Sequence, residues 1–327
     1  MMDKNMMNKS DEIVVSIICN TYNQEDYIAE AIESFLMQKT TFKFEVLIHD
    51  DASTDNTVNI IQKYEKIYPD IIKPIYQKEN QYSKGIPITI KYQFPRINGM
   101  YVAYCEGDDY WTDEYKLQKQ VEALEKHPEC DICAHTAFMV EANSKEKIKA
   151  IAPSINDTIF TVEEVIMGGG AFVATNSLML RTENVLHPSK FYEYYRIDFA
   201  LQIQGALRGG MVYLSSIMSE YRSLAKGSWT KKMLENPEQF INSYNKLIKM
   251  LEIVDEETHG KYSGIISKRI RREQFLKLQI EEDYKKIVNE YSDILKTEPF
   301  KKQIKVFLKA KIPLLTWLNR WRSKHVK

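Results

Sequence analysis

The sequence is poor in cysteine and histidine. Four of its 327 residues are cysteine and six are histidine. Cys130 and Cys133 form one isolated C-x-x-C, but a zinc site would normally need a second pair or nearby histidines, and no histidine pair has ligand spacing. Because residues 130–140 read as a buried strand, we expect these thiols, with Cys19 and Cys105, to be core residues rather than a metal or redox centre.

The chain also lacks long apolar runs and an excess of either charge. No stretch reaches the roughly 18 apolar residues of a membrane-spanning helix. Residues 1–12 are polar, which argues against a secretory signal, so we expect a cytoplasmic protein. Lys+Arg and Asp+Glu both number 45, and this balance gives no indication of a nucleic-acid partner.

Two common nucleotide-binding motifs are missing as well. Neither G-x-G-x-x-G nor G-x-x-x-x-G-K-[ST] follows the first predicted strand. A phosphate site built on a glycine-rich helix start is therefore not expected, and another means of neutralising phosphate would be required.

What the sequence does contain, over its first 140 residues, is an alternation of apolar strands and amphipathic helices. Strands are predicted at 14–19, 44–49, 71–76, 101–105 and 130–140, and helices at 25–37, 57–68, 88–97 and 114–126. This alternation predicts an α/β fold with a mainly parallel sheet flanked by helices. In such sheets ligands bind at the carboxyl ends of the strands.

The remainder of the chain is less regular and then becomes helical. The pattern weakens over 144–172, and it resumes with strands at 177–181 and 212–215 and a helix at 193–207. Long charged helices are predicted at 238–254 and 262–296. We therefore divide the chain into a nucleotide-binding and catalytic domain, residues 1–230, and a helical C-terminal region, residues 231–327.

The last 27 residues, 301–327, form a basic segment. They hold nine Lys or Arg and no Asp or Glu, interleaved with leucine, phenylalanine and tryptophan. Such a segment is typical of a peripheral contact with the inner membrane surface. The alternative, left open here, is an ordinary helix that packs its apolar side on the protein.

Carboxylates gather where two of the predicted strands end. Glu106, Asp108 and Asp109 follow the strand at 101–105, and Asp50 and Asp51 follow the strand at 44–49. Carboxylates crowded at the end of a buried strand repel one another, and a divalent cation with oxygen ligands would relieve this repulsion. The alternative is a solvated acidic turn that caps the next helix.

Three blocks of sequence at these strand ends resemble a known family. They are residues 19–23 (CNTYN), 50–55 (DDASTD) and 106–109 (EGDD), in this order and with the expected spacing. Together they resemble family 2 inverting glycosyltransferases of the GT-A fold, over about residues 14–229. The sequence is most similar to the enzymes that build bacterial capsule, lipopolysaccharide or other cell-surface glycans.

The resemblance implies a nucleotide site in the first half of the chain. Thr21 and Tyr22 would line the base pocket, with Tyr22 stacking on the ring. Asp51, or less favourably Asp50, would accept a hydrogen bond from the base, typically uracil. Four further groups would shape or approach the nucleotide: Asn23, Glu25, Asn80 and the pair Lys84–Gly85.

The resemblance also implies a divalent metal, Mn²⁺ or Mg²⁺. Glu106-Gly107-Asp108 lies where the family has its D-x-D motif. Asp108 would be the main metal ligand, Glu106 would contact ribose or metal-bound phosphate, and Asp109 would assist. Glutamate at the first position is one methylene longer than aspartate, which puts the ligand geometry in doubt.

The catalytic base is expected in the second half. Residues 195–201 (YRIDFAL) resemble the family's acidic motif beneath the acceptor site, and Asp198 would remove the acceptor hydroxyl proton. The alternative is a carboxylate that interacts with the positive end of its own helix.

A second departure from the family lies at residues 220–224 (EYRSL), where many relatives have Tyr-Arg-x-His. Leu224 occupies the histidine position, so part of the metal or diphosphate stabilisation would fall to Arg222, Lys226 or Ser228. Trp229 either closes over the donor or anchors the helical region.

These features predict a metal-dependent transferase that moves a sugar from a nucleotide-sugar, with UDP-sugar favoured, to a glycan or lipid-linked acceptor. A nucleotidyltransferase is disfavoured, because such enzymes carry a glycine- and arginine-rich loop where this chain has Asn20–Asn23. A degenerate, partner-binding member of a glycan assembly complex remains the alternative, since Glu106 and Leu224 depart from the family pattern.

Overall fold

One ten-stranded sheet organises the first part of the protein. The computed structural model describes residues 12–226, 233 and 235–311. The chain divides into two units, Met1–Lys232 and Met233–Lys327. The strands are β1 (Ile13–Thr21), β2 (Lys43–Asp50), β3 (Ile72–Tyr76), β4 (Tyr101–Tyr104), β5 (Tyr110–Trp111), β6 (Ile132–Glu141), β7 (Lys147–Ile151), β8 (Thr158–Phe160), β9 (Met179–Arg181) and β10 (Met211–Ser223).

The first half of the sheet is parallel, as predicted. Its strands run in the order β3-β2-β1-β4, with Ile17 of β1 opposite Val46 of β2 on one side and Ala103 of β4 on the other. The three residues are completely buried because helices cover the sheet, which explains the unbroken apolar runs in the sequence. The carboxyl ends of β2, β1 and β4 consequently meet at one edge.

The second half of the sheet is mixed. Strand β9 lies antiparallel between β4 and β6, and the long strand β10 runs parallel to β6. Irregularities in register occur between Leu214 and Ser219. Beyond them, β10 pairs antiparallel with the short strand β5, with Glu220 opposite Tyr110. This pairing brings the end of β10 to the acidic segment that follows β4.

Seven α-helices accompany the sheet within the described part of the first unit. They are α1 (Ile28–Leu36), α2 (Thr57–Ile67), α3 (Lys116–Lys126), α4 (Val162–Gly168), α5 (Thr182–Leu186), α6 (Lys190–Tyr194) and α7 (Asp198–Ala206). Helix α1 buries Ile28, Ile32 and Phe35 at helical spacing, and these side chains join the strand residues in one hydrophobic core. All four cysteines are free and buried, as predicted.

Three sequence-based assignments need correction. The helix predicted at 88–97 is a π-helical turn, Thr89–Gln93, followed by a 3₁₀ turn, Phe94–Arg96, because Pro95 cannot continue a regular helix. The helix predicted at 193–207 is split into α6 and α7. The weak pattern over 144–172 conceals β7, β8 and α4, the last of which begins with a capping box between Thr161 and Glu164.

The second unit is helical. Its helices are α8 (Pro237–Glu257), α9 (Ser263–Ile280), α10 (Tyr284–Glu290), α11 (Ser292–Leu295) and α12 (Phe300–Lys311). The single helix predicted at 262–296 is therefore wrong. It ends before Glu282, which has a φ of 58°, and α10 restarts where the Asp283 side chain accepts from the Lys286 amide.

Helices α9 to α12 share a small core of their own. Phe275, Ile287, Leu295 and Val306 are almost completely buried in it. Within the ranges that the structure describes, no helix is both long and apolar enough to cross a bilayer. Residues 312–327, most of the predicted basic tail, lie outside those ranges.

Candidate active site

The three sequence blocks meet at the carboxyl edge of the parallel strands. The Asp51 amide donates to the Thr21 carbonyl at 3.0 Å, and the Gly107 amide donates to the Asn20 carbonyl at 3.1 Å. The segments after β2, β1 and β4 are thus held side by side by backbone hydrogen bonds. This is the juxtaposition that the sequence predicts.

Side chains also tie the first two segments together. Asn23 has a φ of 54°, its amide donates to Ser53 Oγ at 2.9 Å, and its Oδ1 accepts from the Thr54 amide at 2.7 Å. The Glu25 amide donates to Asp55 Oδ2 at 3.1 Å. Asn23 and Glu25 therefore shape the loop, and their role beside a nucleotide stays a prediction.

The two aspartates after β2 have different partners. Asp50 is completely buried and accepts from the amide and hydroxyl of Ser53, at 3.0 and 2.5 Å. Asp51 is 2% exposed, and its two carboxylate oxygens accept from the amides of Gln81 and Tyr82, at 2.8 and 2.9 Å. Asp51 thus fixes the segment near residue 80, and a bond to a base would use one of its remaining lone pairs.

The segment around residue 80 contains the other predicted nucleotide contacts. Asn80 Nδ2 donates to the Asp51 carbonyl at 3.2 Å, which attaches this segment to the strand end. Lys84 forms an ion pair with Glu79. Gly85 has a φ of +74° and nothing within 4 Å of an added Cβ, so its role is to allow the turn.

Thr21 and Tyr22 at the end of β1 offer a polar and an aromatic group, and Thr21 lies next to Gly107. Tyr22 is 37% exposed, whereas Thr21 is buried and its Oγ1 has no hydrogen-bond partner. A Cβ on Gly107 would lie 2.5 Å from Gln24 Oε1 and 2.9 Å from Thr21 Oγ1. Gln24 Oε1 is likewise buried without a partner. Two unsatisfied polar oxygens in such close packing are unusual in a folded protein.

The acidic segment after β4 is strongly desolvated. Glu106 keeps an exposed part, and the protein around its carboxyl removes much of its hydration. This burial, followed by repulsion from Asp108 and Asp198, raises the pKa of Glu106 to about 8. Burial also raises the pKa of Asp108, although the Arg222 charge and a hydrogen bond from Gln24 oppose this shift. The Glu106 carboxyl is therefore within electrostatic range of both Asp108 and Asp198.

Arg222 supports the acidic segment through its buried guanidinium group. Its side chain is 1% exposed, and its Nη1 donates to the Asp108 carbonyl at 2.6 Å. Nη2 pairs with Glu30, and the guanidinium lies 4.4 Å from the centre of the Tyr110 ring. These contacts account for Arg222 as a buried support, and its predicted contact with phosphate stays a prediction.

Asp109 also contacts Arg222, through the backbone of that residue. Its Oδ1 accepts from the Arg222 backbone amide at 2.8 Å, and it is 4% exposed. Within residues 12–226, 233 and 235–311, no three His, Cys, Asp or Glu side chains are arranged to hold a metal ion. The prediction that Asp109 joins Glu106 and Asp108 as a ligand is therefore not supported.

Glu106 and Asp108 nevertheless fit a divalent ion of the kind predicted. Mg²⁺ and Mn²⁺ at nucleotide sites take one or two carboxylates, and water and substrate phosphates complete the coordination. The repulsion that raises the pKa of Glu106 is what a bound cation would relieve. The donor set is thus suited to an ion shared with a substrate.

Asp198 is the first residue of α7. Its Oδ2 accepts from Thr175 Oγ1 at 2.7 Å and its Oδ1 from the Phe199 amide at 2.7 Å. Burial raises the pKa of Asp198, and these two hydrogen bonds partly offset the shift. A Cβ added at Gly170 would lie 3.9 Å from Asp198 Oδ1. The start of α7 thus holds the Asp198 carboxylate in a fixed position, close to the backbone of Gly170.

The remaining predicted residues follow β10. Leu224 is 48% exposed with a φ of 58°, and Lys226 is exposed. Ser228 and Trp229 lie outside the described residues. Their predicted roles beside phosphate or acceptor stay predictions.

Sequence reasoning missed Gln24, Thr175 and the bracing role of Arg222. Gln24 directly follows the first block and could have been included with it. Thr175 has no local signal, because its contact with Asp198 spans 23 residues.

Comparisons with known proteins identify a family, two relatives and a solved structure that this chain resembles. Residues 16–185 match the model of the family described as Glycosyl transferase family 2. An uncharacterised protein of Mycobacterium tuberculosis is 33% identical over 248 residues, which cover 75% of this chain and 69% of that protein. Escherichia coli WfaP, named as UDP-Glc:alpha-D-GlcNAc-diphosphoundecaprenol beta-1,3-glucosyltransferase, is 36% identical over 113 residues, or 34% of this chain and 41% of WfaP.

A solved structure supports the fold. The crystal structure of Staphylococcus aureus TarS 1–349 in complex with UDP-GlcNAc has a TM-score of 0.61 at 18% identity. The alignment covers 93% of this chain and 92% of that one. The predicted GT-A type fold, with a mostly parallel sheet, flanking helices and additional C-terminal helices, is confirmed.

Proposed function

Because the chain belongs to glycosyl transferase family 2, we propose that it transfers a sugar from a UDP-sugar to a hydroxyl of a glycan or lipid-linked glycan, with inversion. The proposed setting is the synthesis of a cell-surface polysaccharide. The names of two similar proteins support this choice, since WfaP carries a UDP-sugar and a diphosphoundecaprenol acceptor in its name and TarS was solved with UDP-GlcNAc. The observation that carries the proposal is that the three sequence blocks meet at one edge of the sheet, through the backbone hydrogen bonds from Asp51 to Thr21 and from Gly107 to Asn20.

In the proposed site the nucleotide lies against the segments joined by Asp51. Thr21 Oγ1, buried without a partner, is available to a polar group of the donor, and the exposed Tyr22 ring is available for stacking. Asp108 and Glu106 would hold Mn²⁺ or Mg²⁺, which would neutralise the negative charge of the diphosphate.

Asp198 is the proposed general base. The acceptor oxygen forms a bond to the anomeric carbon while the bond from that carbon to the diphosphate oxygen breaks. The electron pair of the broken bond leaves with UDP, and the acceptor proton passes to the Asp198 carboxylate. The hydrogen bonds from Thr175 and the Phe199 amide hold that carboxylate in place and favour its ionised form.

The experiment that tests the proposal is a thermal-shift and hydrolysis screen of UDP-, GDP- and dTDP-sugars with Mn²⁺ or Mg²⁺. We expect UDP with Mn²⁺ to raise the melting temperature and Asp108→Ala to abolish the rise. The matched control is Asp70→Ala, because Asp70 is exposed and precedes β3, at the opposite edge of the parallel strands. No shift with any nucleotide would favour the degenerate, partner-binding alternative.

A further inference from the structure

Helix α12 (Phe300–Lys311) has two apolar faces, and only one of them packs against other residues that the structure describes. Val306 is 4% exposed and packs into the core of the second unit, with the partly buried Ala310 beside it. Phe300, Ile304, Phe307 and Leu308 are instead 74%, 43%, 43% and 47% exposed. We call these four residues the outward stripe.

Helical geometry separates the two faces. At about 100° per residue, positions 300, 304, 307 and 308 fall within about 100° of the helix circumference, whereas position 306 lies on the other side. An ordinary packing helix would bury its main apolar stripe. Among the described residues of this unit the larger apolar face is left in solvent, so packing between those residues does not explain it.

Positive charge accompanies the outward stripe. Lys301 and Lys305 are exposed at adjoining positions on the helix, and Lys311 is exposed at its end. Two other lysines have partners, since Lys302 pairs with Glu298 and Lys309 donates to Tyr284 Oη. Residues 301–327 contain no Asp or Glu, and the residues after Lys311 add two tryptophans and four more Lys or Arg.

We infer that the outward stripe docks on an anionic lipid bilayer. Phe300, Ile304, Phe307 and Leu308 would enter the boundary between headgroups and acyl chains, and Lys301 and Lys305 would lie near lipid phosphates. A purely apolar protein partner would not require the lysines, whereas an anionic surface uses both features. This inference is independent of the proposed reaction, although membrane docking would suit a lipid-linked acceptor.

The test is flotation of the full chain with phosphatidylcholine vesicles, with and without phosphatidylglycerol. We expect binding to the anionic vesicles and a loss of about tenfold or more in partitioning for Phe307→Glu. Ile155→Glu is the matched control, because Ile155 is 90% exposed in the first unit. An unchanged melting temperature would show that Phe307→Glu leaves the fold intact.

A second arm tests the charges. Lys305→Gln should weaken binding about fivefold at low salt and less at high salt, whereas Lys63→Gln, at an exposed position of α2, should not. The inference is overturned if the wild-type chain ignores anionic vesicles, if Phe307→Glu binds like the wild type, or if that variant instead dissociates a dimer. UDP thermal shifts without vesicles report separately on the proposed reaction.

Discussion

Arg222 Nη1 donates a hydrogen bond to the backbone carbonyl of Asp108, 114 residues away in sequence. The guanidinium therefore holds the main chain of the acidic segment and does not use the Asp108 carboxylate as its acceptor. Buried arginine is suited to this task because its planar fork can serve several acceptors at once. Here those acceptors are the Asp108 carbonyl and Glu30.

Replacing Arg222 by lysine should destabilise the protein. A single ammonium cannot reach both acceptors, and losing a buried charged hydrogen bond costs about 1.5–3 kcal/mol of the free energy of unfolding. Urea denaturation measures the change. The same substitution at Arg271, whose ion pair with Asp293 is exposed, should have a clearly smaller effect because solvent screens that pair. Equal effects at both sites would contradict the bracing role.

Asp198→Asn should preserve nucleotide binding and reduce sugar transfer by about 10²–10⁴-fold, the usual contribution of a general base. The asparagine amide oxygen can still accept from the Phe199 amide, and its NH2 group can donate to the Thr175 hydroxyl oxygen, so the local geometry should survive. Transfer kinetics and the UDP thermal shift measure the two properties separately. Transfer at the wild-type rate would eliminate Asp198 as the base, and Asp70→Asn provides the control.

Thr175→Val should move the acidic limb of the pH–rate profile to higher pH. The Thr175 hydroxyl lowers the pKa of Asp198, so its loss raises that pKa further and a larger fraction of the base is protonated at a given pH. Profiles of kcat/KM against pH measure the shift. Thr182→Val removes a 2.6 Å hydrogen bond to the Gly99 carbonyl and should leave the limb unmoved. If Thr175 has a purely structural role, Thr175→Val should also leave the acidic limb unmoved.

Glu106→Gln should stabilise the metal-free protein near neutral pH. The pKa of Glu106 is about 8 in the folded state and about 4.3 in an unfolded chain, so between these values the folded state binds more protons. The free energy of unfolding therefore falls as pH rises through this range. Glutamine does not titrate, so the free energy of unfolding of the variant does not fall in this way. Its melting temperature should exceed that of the wild type near pH 8 and match it near pH 4. Glu163→Gln makes the same change at an exposed position.

Gly107→Ala should destabilise the protein by about 1–2 kcal/mol, because its Cβ would lie 2.5 Å from Gln24 Oε1 and 2.9 Å from Thr21 Oγ1. Gly264→Ala is the matched control. It lies in α9 with nothing within 4 Å of an added Cβ, and it should stabilise by about 0.4–1 kcal/mol. Denaturant titration of both variants gives the comparison, and a neutral Gly107→Ala would show that Gln24 moves aside freely.

The strand ends of the site were predictable because their signal is local. An apolar run that stops at Asp50 or Glu106 reports both a buried strand and the edge where it ends. The partners of Asp108 and Asp198 were not predictable in this way. They come from β10 and from a 3₁₀ turn at Thr175–Ser177, and which distant segments meet depends on tertiary packing.

The second unit likewise contains a feature that the local sequence does not predict. Residues 262–296 have few helix breakers, yet the chain turns at Glu282, a residue with no strong preference for positive φ. Burial of Phe275 and Ile287 in a shared core requires the turn, and that requirement cannot be read from local propensity.

The hydrogen bonds of Asn23 with Ser53 and Thr54 join two loops through the protein's own side chains. Loops joined in this way are preorganised, so a donor that binds beside them would not have to immobilise either one. Ordering of interface side chains commonly costs about 0.5–1.5 kcal/mol each. Donor affinity should accordingly depend on the contacts made by the ligand rather than on closure of these two segments.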